Sequence, residues 1–249
     1  MADFKLGIQL YTVRELCKTD FTGTLSALAK MGYQGVEFAG QYGGMSPDAL
    51  AAFLGDLGLA CCGLHGPLVQ MCDPDSQFYA CAAAVHSPYV TTSCLQEVAK
   101  DWPGAIAKVA EAARVAQKHG LQFTYHNHAQ EFQKFDGVYA LDMLYQRTDA
   151  AQVQAELDTY WIKAGGEDPA AYIRKYPGRV PQVHLKDMDK QDRSWTEIGN
   201  GSIDLPAVFA AAEEVGAGWI IYEQDVCKRP ALESAQISIE NLRKSGLME

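Results

Sequence analysis

The side chains best suited to chemistry fall in three segments, Glu156-Leu157-Asp158-Thr159-Tyr160-Trp161, Val183-His184-Leu185-Lys186-Asp187 and Ile221-Tyr222-Glu223-Gln224-Asp225. Each reads as an apolar strand that ends in a hard or borderline metal ligand. Two carboxylates and an imidazole brought together from neighbouring strands, with a fourth ligand, suit Mn²⁺, Mg²⁺, Co²⁺ or Zn²⁺. Oxygen predominance with one nitrogen favours Mn²⁺ or Mg²⁺. A single Asp or His at a strand end is usually a loop cap, but three on successive strands and one face make a candidate site.

Other polar groups recur at the same kind of position. Gln9, Glu37 and His65 are spaced 28 residues apart and close three earlier apolar runs. His126 and His128 close another, and strand alternation puts them on one face, opposite Tyr125 and Asn127. Charged groups are costly in apolar surroundings unless paired or metal-bound, so such a ring requires a reason.

The elements that position these residues are eight apolar or β-branched runs, at 5–10, 34–38, 60–64, 89–94, 122–126, 153–157, 180–185 and 219–222. They alternate with helical patterns, the mark of βα units and a parallel sheet. Dividing 249 residues by eight leaves about 31 for each unit, the size of a strand, a helix and two loops. The expected fold is α/β, a single (β/α)₈ barrel domain over residues 1–249, in which the carboxyl ends of all strands open on one face. Ser46-Pro47-Asp48 and Asp168-Pro169 read as helix starts, and Gly120 as the stop of a helix over 103–119. The polar stretch 187–201, with Gly199, Asn200 and Gly201, reads as a long loop after the seventh strand, of the kind that closes over a site.

Composition narrows the partners. The net charge of −10, from 21 Lys and Arg against 31 Asp and Glu, has the wrong sign for binding nucleic-acid phosphates. It also argues against docking on anionic membranes, and it matters little for a neutral small molecule. No run of eighteen apolar residues occurs, and residues 1–6 lack a secretory pattern. A cytoplasmic location is expected. The seven cysteines lack CxxC spacing and read as small buried apolar residues in a reducing compartment.

Motifs along nearly the whole chain resemble those of the sugar phosphate isomerase/epimerase superfamily. These are the xylose-isomerase-like barrels that include ketose 3-epimerases, hydroxypyruvate isomerases and inosose dehydratases. The resemblance runs through Gly7-Ile8-Gln9-Leu10-Tyr11-Thr12-Val13-Arg14, Gly32-Tyr33-Gln34-Gly35-Val36-Glu37, Tyr125-His126-Asn127-His128 with Glu131-Phe132, and the three segments above. It continues in Glu197-Ile198-Gly199-Asn200-Gly201.

The resemblance implies a divalent metal, Mn²⁺ first, held by Glu, Asp, His and Glu from strands five to eight. Asp158, His184 and Glu223 match. The strand-five ligand is read as Glu131, with His126 as the alternative. One of His126 and His128 could instead orient a ligand from behind. The implied activity is isomerisation or epimerisation of a small sugar through an enediolate. Glu131 and Glu223 would be the proton carriers, and Lys186 would stabilise charge on a substrate oxygen. Substrate contacts are expected from Gln9, Tyr11, Glu37, His65, His126, His128, Trp161 and Lys186, with Trp195 a further apolar wall.

A metal-dependent dehydratase or lyase of a keto-sugar or keto-inositol would use the same carboxylates. A silent sugar-binding barrel is the non-enzymatic alternative. The related abasic-site endonucleases need more His ligands and a basic groove, which six His and an acidic chain do not supply. A phosphate site is disfavoured by the lack of a glycine-rich cradle in the loops after strands seven and eight.

Overall fold

The computed structural model describes residues 4–93 and 100–248. Eight strands form the barrel: β1 (Lys5–Gln9), β2 (Gly35–Phe38), β3 (Ala60–His65), β4 (Tyr89–Thr92), β5 (Gln122–His126), β6 (Val153–Asp158), β7 (Gln182–Leu185) and β8 (Trp219–Tyr222). Every neighbouring pair is parallel, and β8 closes on β1 through Lys5 to Ile8 opposite Trp219 to Tyr222. The sheet therefore has no free edge to protect. All eight strands stand where the apolar runs placed them. Cys94, at the end of the run expected for the fourth strand, lies outside the described residues.

Small differences at strand ends have local causes. Pro181 has no N–H to give to a ladder, so β7 begins at Gln182 rather than at 180. The Pro181 carbonyl instead accepts from the amides of Gly218 (2.9 Å) and Trp219 (3.2 Å). The first strand stops at Gln9 because its side-chain oxygen turns back to accept from Tyr11 N at 3.1 Å, which starts a 3₁₀ turn.

The helix signals behave as their chemistry demands. Ser46 Oγ accepts from Ala49 N before Pro47–Leu57, and Asp168 Oδ1 accepts from Ala171 N at 2.7 Å before Pro169–Arg174. The helix Trp102–Lys118 runs into Gly120, whose φ of +72° suits glycine.

A large apolar core includes the outward faces of the strands, such as Ile8, Val36, Phe123, Leu157, Val183 and Ile220. A separate small cluster of Cys62, Trp219 and Ile221 fills the lower barrel. Alternation along β8 puts Trp219 and Ile221 on the same face as Glu223, so the interior passes from apolar at the base to ionised at the mouth.

A bulge in β3 matters for that transition. Val36 pairs with Cys61 and Glu37 with Gly63, which leaves Cys62 unpaired and turned inward. Gly63 then faces Glu37 so closely that an added Cβ would stand 2.4 Å from Glu37 Oε1 and 3.1 Å from Gln182 Nε2. Gly63→Ala is therefore expected to destabilise by about 1–3 kcal/mol through overpacking. That corresponds to a melting temperature lower by roughly 2–12 °C in a chain of this size. An unchanged melting temperature would show that Glu37 can move aside.

Candidate active site

Strand ends deliver the polar layer in order around the ring. Gln9 closes β1 and Glu37 sits within β2. His65 ends β3, His126 ends β5 and Asp158 ends β6. His184 lies in β7, with Lys186 just beyond it, and Glu223 follows β8. They surround a cavity of about 540 Å³ lined in part by Gln9, Tyr11, His65, His126, Lys186 and Glu223. His128, Trp161, Trp195 and Asp225 also form part of its wall. This volume falls in the range of small-molecule pockets.

At the base of the cavity, where His126 and Glu223 reach its lining and Asp158 and His184 lie wholly buried behind them, one donor atom from each of these four residues lies within 4.8 Å of the others, a group able to hold a metal ion. All four residues are buried. His184 Nδ1 stands 3.0 Å from Glu223 Oε2, and His126 Nε2 stands 3.7 Å from Asp158 Oδ2. Asp158 Oδ2 is buried without a hydrogen-bond donor among the described residues, although the Lys186 ammonium lies 3.2 Å away. An under-coordinated carboxylate oxygen facing two imidazoles and a second carboxylate fits a divalent cation.

Lys186 is 1% exposed and is held by three carboxylates, Asp225 at 2.8 Å, Glu223 at 2.9 Å and Asp158 at 3.2 Å. Burial alone would discharge it, but Asp158, Glu223 and Asp225 outweigh that and keep it protonated. The same pairing acts in reverse on Glu223. Burial favours its neutral form, yet Lys186 and His184 hold it well below the usual carboxylate range. Burial pushes Asp158 up to about 6 against the pull of Lys186 and His184.

A deeper layer lies beneath. His65 Nε2 sits between Glu156 Oε1 at 2.8 Å and Glu37 Oε2 at 3.2 Å. Burial opposes its charge, but Glu37 and Glu156 win and raise His65 to about 10. Burial and then the neighbouring Glu37 push Glu156 up to about 7. Sequence reasoning passed over Glu156. The signal that could have found it is the two-residue period shared with Asp158, which turns both carboxylates inward.

The structure does not bring Glu131 into the ligand group, and His126 stands there instead. Glu131 belongs to the 3₁₀ turn Ala129–Phe132, where its Oε2 accepts from His128 N at 2.9 Å and its Oε1 from the Tyr125 hydroxyl at 2.7 Å. Tyr125 lies on the opposite strand face from His126, which is why Glu131 turns away from the cavity. Of the other expected contacts, Gln9, Tyr11, His65, His126, His128, Trp161 and Lys186 line the cavity, whereas Glu37 lies wholly buried below it.

The segment expected as a closing loop is a tethered hairpin, Asp187–Met188 paired with Trp195–Thr196. Asp187 is buried and accepts from the amides of Met188 (2.8 Å), Gly199 (3.0 Å), Gly201 (3.0 Å) and Ile203 (3.0 Å). The hairpin presents Trp195 to the cavity, stacked on Tyr160 with ring centres 5.2 Å apart.

Residues 25–245 match the family model described as the xylose isomerase-like TIM barrel, and the chain belongs to that family. Among curated proteins it is similar to inosose dehydratases. It is 28% identical to that of Clostridium beijerinckii over 145 residues, covering 51% of this chain and 48% of that protein. For the enzyme of Clostridium tetani the identity is 29% over 159 residues, covering 55% and 52%. The chain thus spans about half the length of these curated relatives.

Among solved structures, a sugar phosphate isomerase/epimerase from Parabacteroides distasonis superposes with a TM-score of 0.83 at 24% identity, covering 100% of this chain and 96% of the other. The IOLI protein, solved with a bound zinc atom, gives 0.72 at 16%, covering 98% and 97%. At these identities both likenesses bear on the fold alone. No helix among the described residues is long and apolar enough to cross a membrane.

Two expectations follow from the buried carboxylates that face backbone. Replacing Asp187 with Ala strands four amides, so their hydrogen exchange should rise at least about tenfold, the equivalent of ~1.4 kcal/mol of lost local stability. Exchange unchanged from wild type would mean that the hairpin stands without its tether.

Burial raises Glu131 from 4.5 to about 7 despite the Tyr125 and His128 hydrogen bonds. An acid raised on folding binds its proton more tightly in the native state, so its contribution to stability is present below the unfolded value and is lost as pH rises toward 7. The stability of Glu131→Gln relative to wild type should therefore increase between about pH 4.5 and pH 7 and level off above, with groups common to both proteins cancelling. A flat difference in urea unfolding across that range would contradict it.

Proposed function

We propose that this chain is a divalent-metal-dependent enzyme that removes the proton beside the carbonyl of a small keto-sugar or keto-cyclitol and then expels a neighbouring hydroxyl as water. The observation that carries this reading is the convergence of His126, Asp158, His184 and Glu223 at the base of a cavity lined by His126, Glu223 and the buried Lys186 ammonium. The cavity wall supports a polyhydroxylated substrate. Trp161 Nε1, Trp195 Nε1 and His128 Nδ1 are buried there without hydrogen-bond partners among the described residues. Unpaired buried polar atoms are costly, and substrate hydroxyls would satisfy them.

The metal would be held by those four residues, and when bound it supplies an electrophile for the carbonyl oxygen. Mn²⁺, Mg²⁺, Co²⁺ and Zn²⁺ all suit a set of two carboxylates and two imidazoles, and zinc is the ion in the IOLI structure. Glu223, ionised beside Lys186 and His184, takes the carbon-bound proton. Lys186 offsets negative charge on the enediolate oxygen. His65, held protonated between Glu37 and Glu156 and 22% exposed at its side chain, donates a proton as the carbon–oxygen bond breaks, and water leaves. The similarity to inosose dehydratases supports elimination as the outcome.

Isomerisation or epimerisation is the second reading, favoured by one observation. Asp225 lines the same cavity as Glu223, so a second carboxylate is at hand to return a proton elsewhere on the substrate.

Incubation of metal-loaded protein with keto-sugars and keto-cyclitols in deuterated water separates the readings. Loss of water marks the dehydratase, and a deuterated isomer marks the isomerase or epimerase. Asp158→Asn should lower metal content and turnover together. Glu223→Gln should lose at least the ~10² in rate typical of removing a general base, even where metal is retained. Full turnover by Asp158→Asn after chelation, or undiminished exchange by Glu223→Gln, would remove the metal or the base from the mechanism.

A further inference from the structure

Glu37 and Glu156 are wholly buried below the cavity and belong to no part of its lining. Each meets imidazoles from underneath. His184 Nε2 is 2.6 Å from Glu37 Oε2 and 3.1 Å from Glu156 Oε1, while its Nδ1 faces Glu223. His126 Nδ1 is 3.0 Å from Glu156 Oε1, while its Nε2 faces Asp158. The two rings thus stand in opposite senses, each with one nitrogen on the lower carboxylates and one in the upper group.

We propose that Glu37 and Glu156 are positioning residues that lock these histidines in opposite tautomers, with the proton on Nε2 in His184 and on Nδ1 in His126. The inference rests on the metal reading above. A ring nitrogen that ligates a cation carries no proton, so in the loaded protein the one N–H of each neutral imidazole sits on the nitrogen that faces the lower carboxylates, which accept it. The opposite nitrogen then offers its lone pair, and the charge below makes it a stronger donor. His184 Nδ1 and His126 Nε2 are the atoms so freed, beside Asp158 and Glu223.

The lower carboxylates are themselves fixed. Gln9 Nε2 donates to Glu37 Oε2 at 2.7 Å and Gln182 Nε2 to Glu37 Oε1 at 3.4 Å. Thr91 Oγ1 donates to Glu156 Oε2 at 3.3 Å, and His65 bridges the pair.

A rival use of the same atoms is a deep metal site, because His65, His126, Glu156 and His184 also converge within 4.8 Å. The oxygens decide between the two: in the upper group Asp158 Oδ2 has no hydrogen-bond partner among the described residues, whereas Glu156 Oε1 in the lower one is already occupied. The three ring nitrogens stand 2.8, 3.0 and 3.1 Å from Glu156 Oε1, which are hydrogen-bond separations. The lower layer is built to take protons, and the upper one to take the ion.

The test needs no substitution to begin. Wild-type protein labelled with ¹⁵N-histidine and loaded with Zn²⁺ should show, by ring-nitrogen NMR, His184 protonated at Nε2 and His126 at Nδ1. The same tautomer in both rings, or a proton on either upper nitrogen, overturns the proposal. By chelator competition, Glu37→Gln and Glu156→Gln should each bind Zn²⁺ about 10- to 100-fold more weakly, with part of the loss recovered in the Asp variants.

Unchanged affinity in both Gln variants, beside tight wild-type binding, overturns the positioning role alone. Two Zn²⁺ per chain with one lost in Glu156→Gln overturns it in favour of the deep site. A wild type that takes up neither Zn²⁺ nor Mn²⁺ overturns the metal reading and the positioning role together.

Discussion

Mutual neutralisation of buried charge governs the upper half of this barrel. Glu37, Glu156, Asp158 and Glu223 are withdrawn from water together with His184 and Lys186, and half-buried His65 pairs with two of them. An ion left alone in such surroundings costs several kcal/mol after relaxation, so no member of the set is tolerable without the others. The eight-stranded ring supplies the condition they need, because parallel strands in register bring side chains from distant parts of the chain within hydrogen-bond reach. Glu37 and His184 are 147 residues apart in sequence, yet Glu37 Oε2 and His184 Nε2 stand in contact at 2.6 Å.

What each carboxylate can do follows from what its oxygens meet. Asp187 and Glu131 spend both oxygens on backbone amides and a tyrosine hydroxyl, and their work is to hold a hairpin and a 3₁₀ turn in place. Asp158 uses Oδ1 on the Trp161 amide and keeps Oδ2 without a donor. Burial does not separate these groups, since all three are buried. The partner atoms do. The hairpin after the seventh strand, which carries Trp195, is tied to the barrel through the four amides that Asp187 accepts.

The layering of the interior links stability to chemistry. Apolar side chains at the base exclude water from below. The bulge at Cys62 and the bare Gly63 make room for Glu37 above them. The polar floor then opens on a cavity walled by indoles whose N–H groups lack partners among the described residues. Catalytic sites commonly carry such unsatisfied groups, and ligands satisfy them at little cost in reorganisation.

The sequence by itself determined the eight strands, their parallel closure and the face on which polar residues gather. Alternation and helix caps act within a few residues, so their rules need no distant partner. It also singled out Asp158, His184 and Glu223, each the polar residue at the end of an apolar run. Tertiary structure alone decided which carboxylates face the cavity and which face backbone. Glu131 resembled a ligand by motif, but Tyr125 and the His128 amide claim it, and no local pattern records that choice. The two-residue period turns Glu156 inward beside Asp158, but its pairing with His65 and His184, 91 and 28 residues away, is set by the barrel. The reason is physical: strand patterning depends on near neighbours, whereas the pairing of buried charges depends on which strands the barrel makes adjacent.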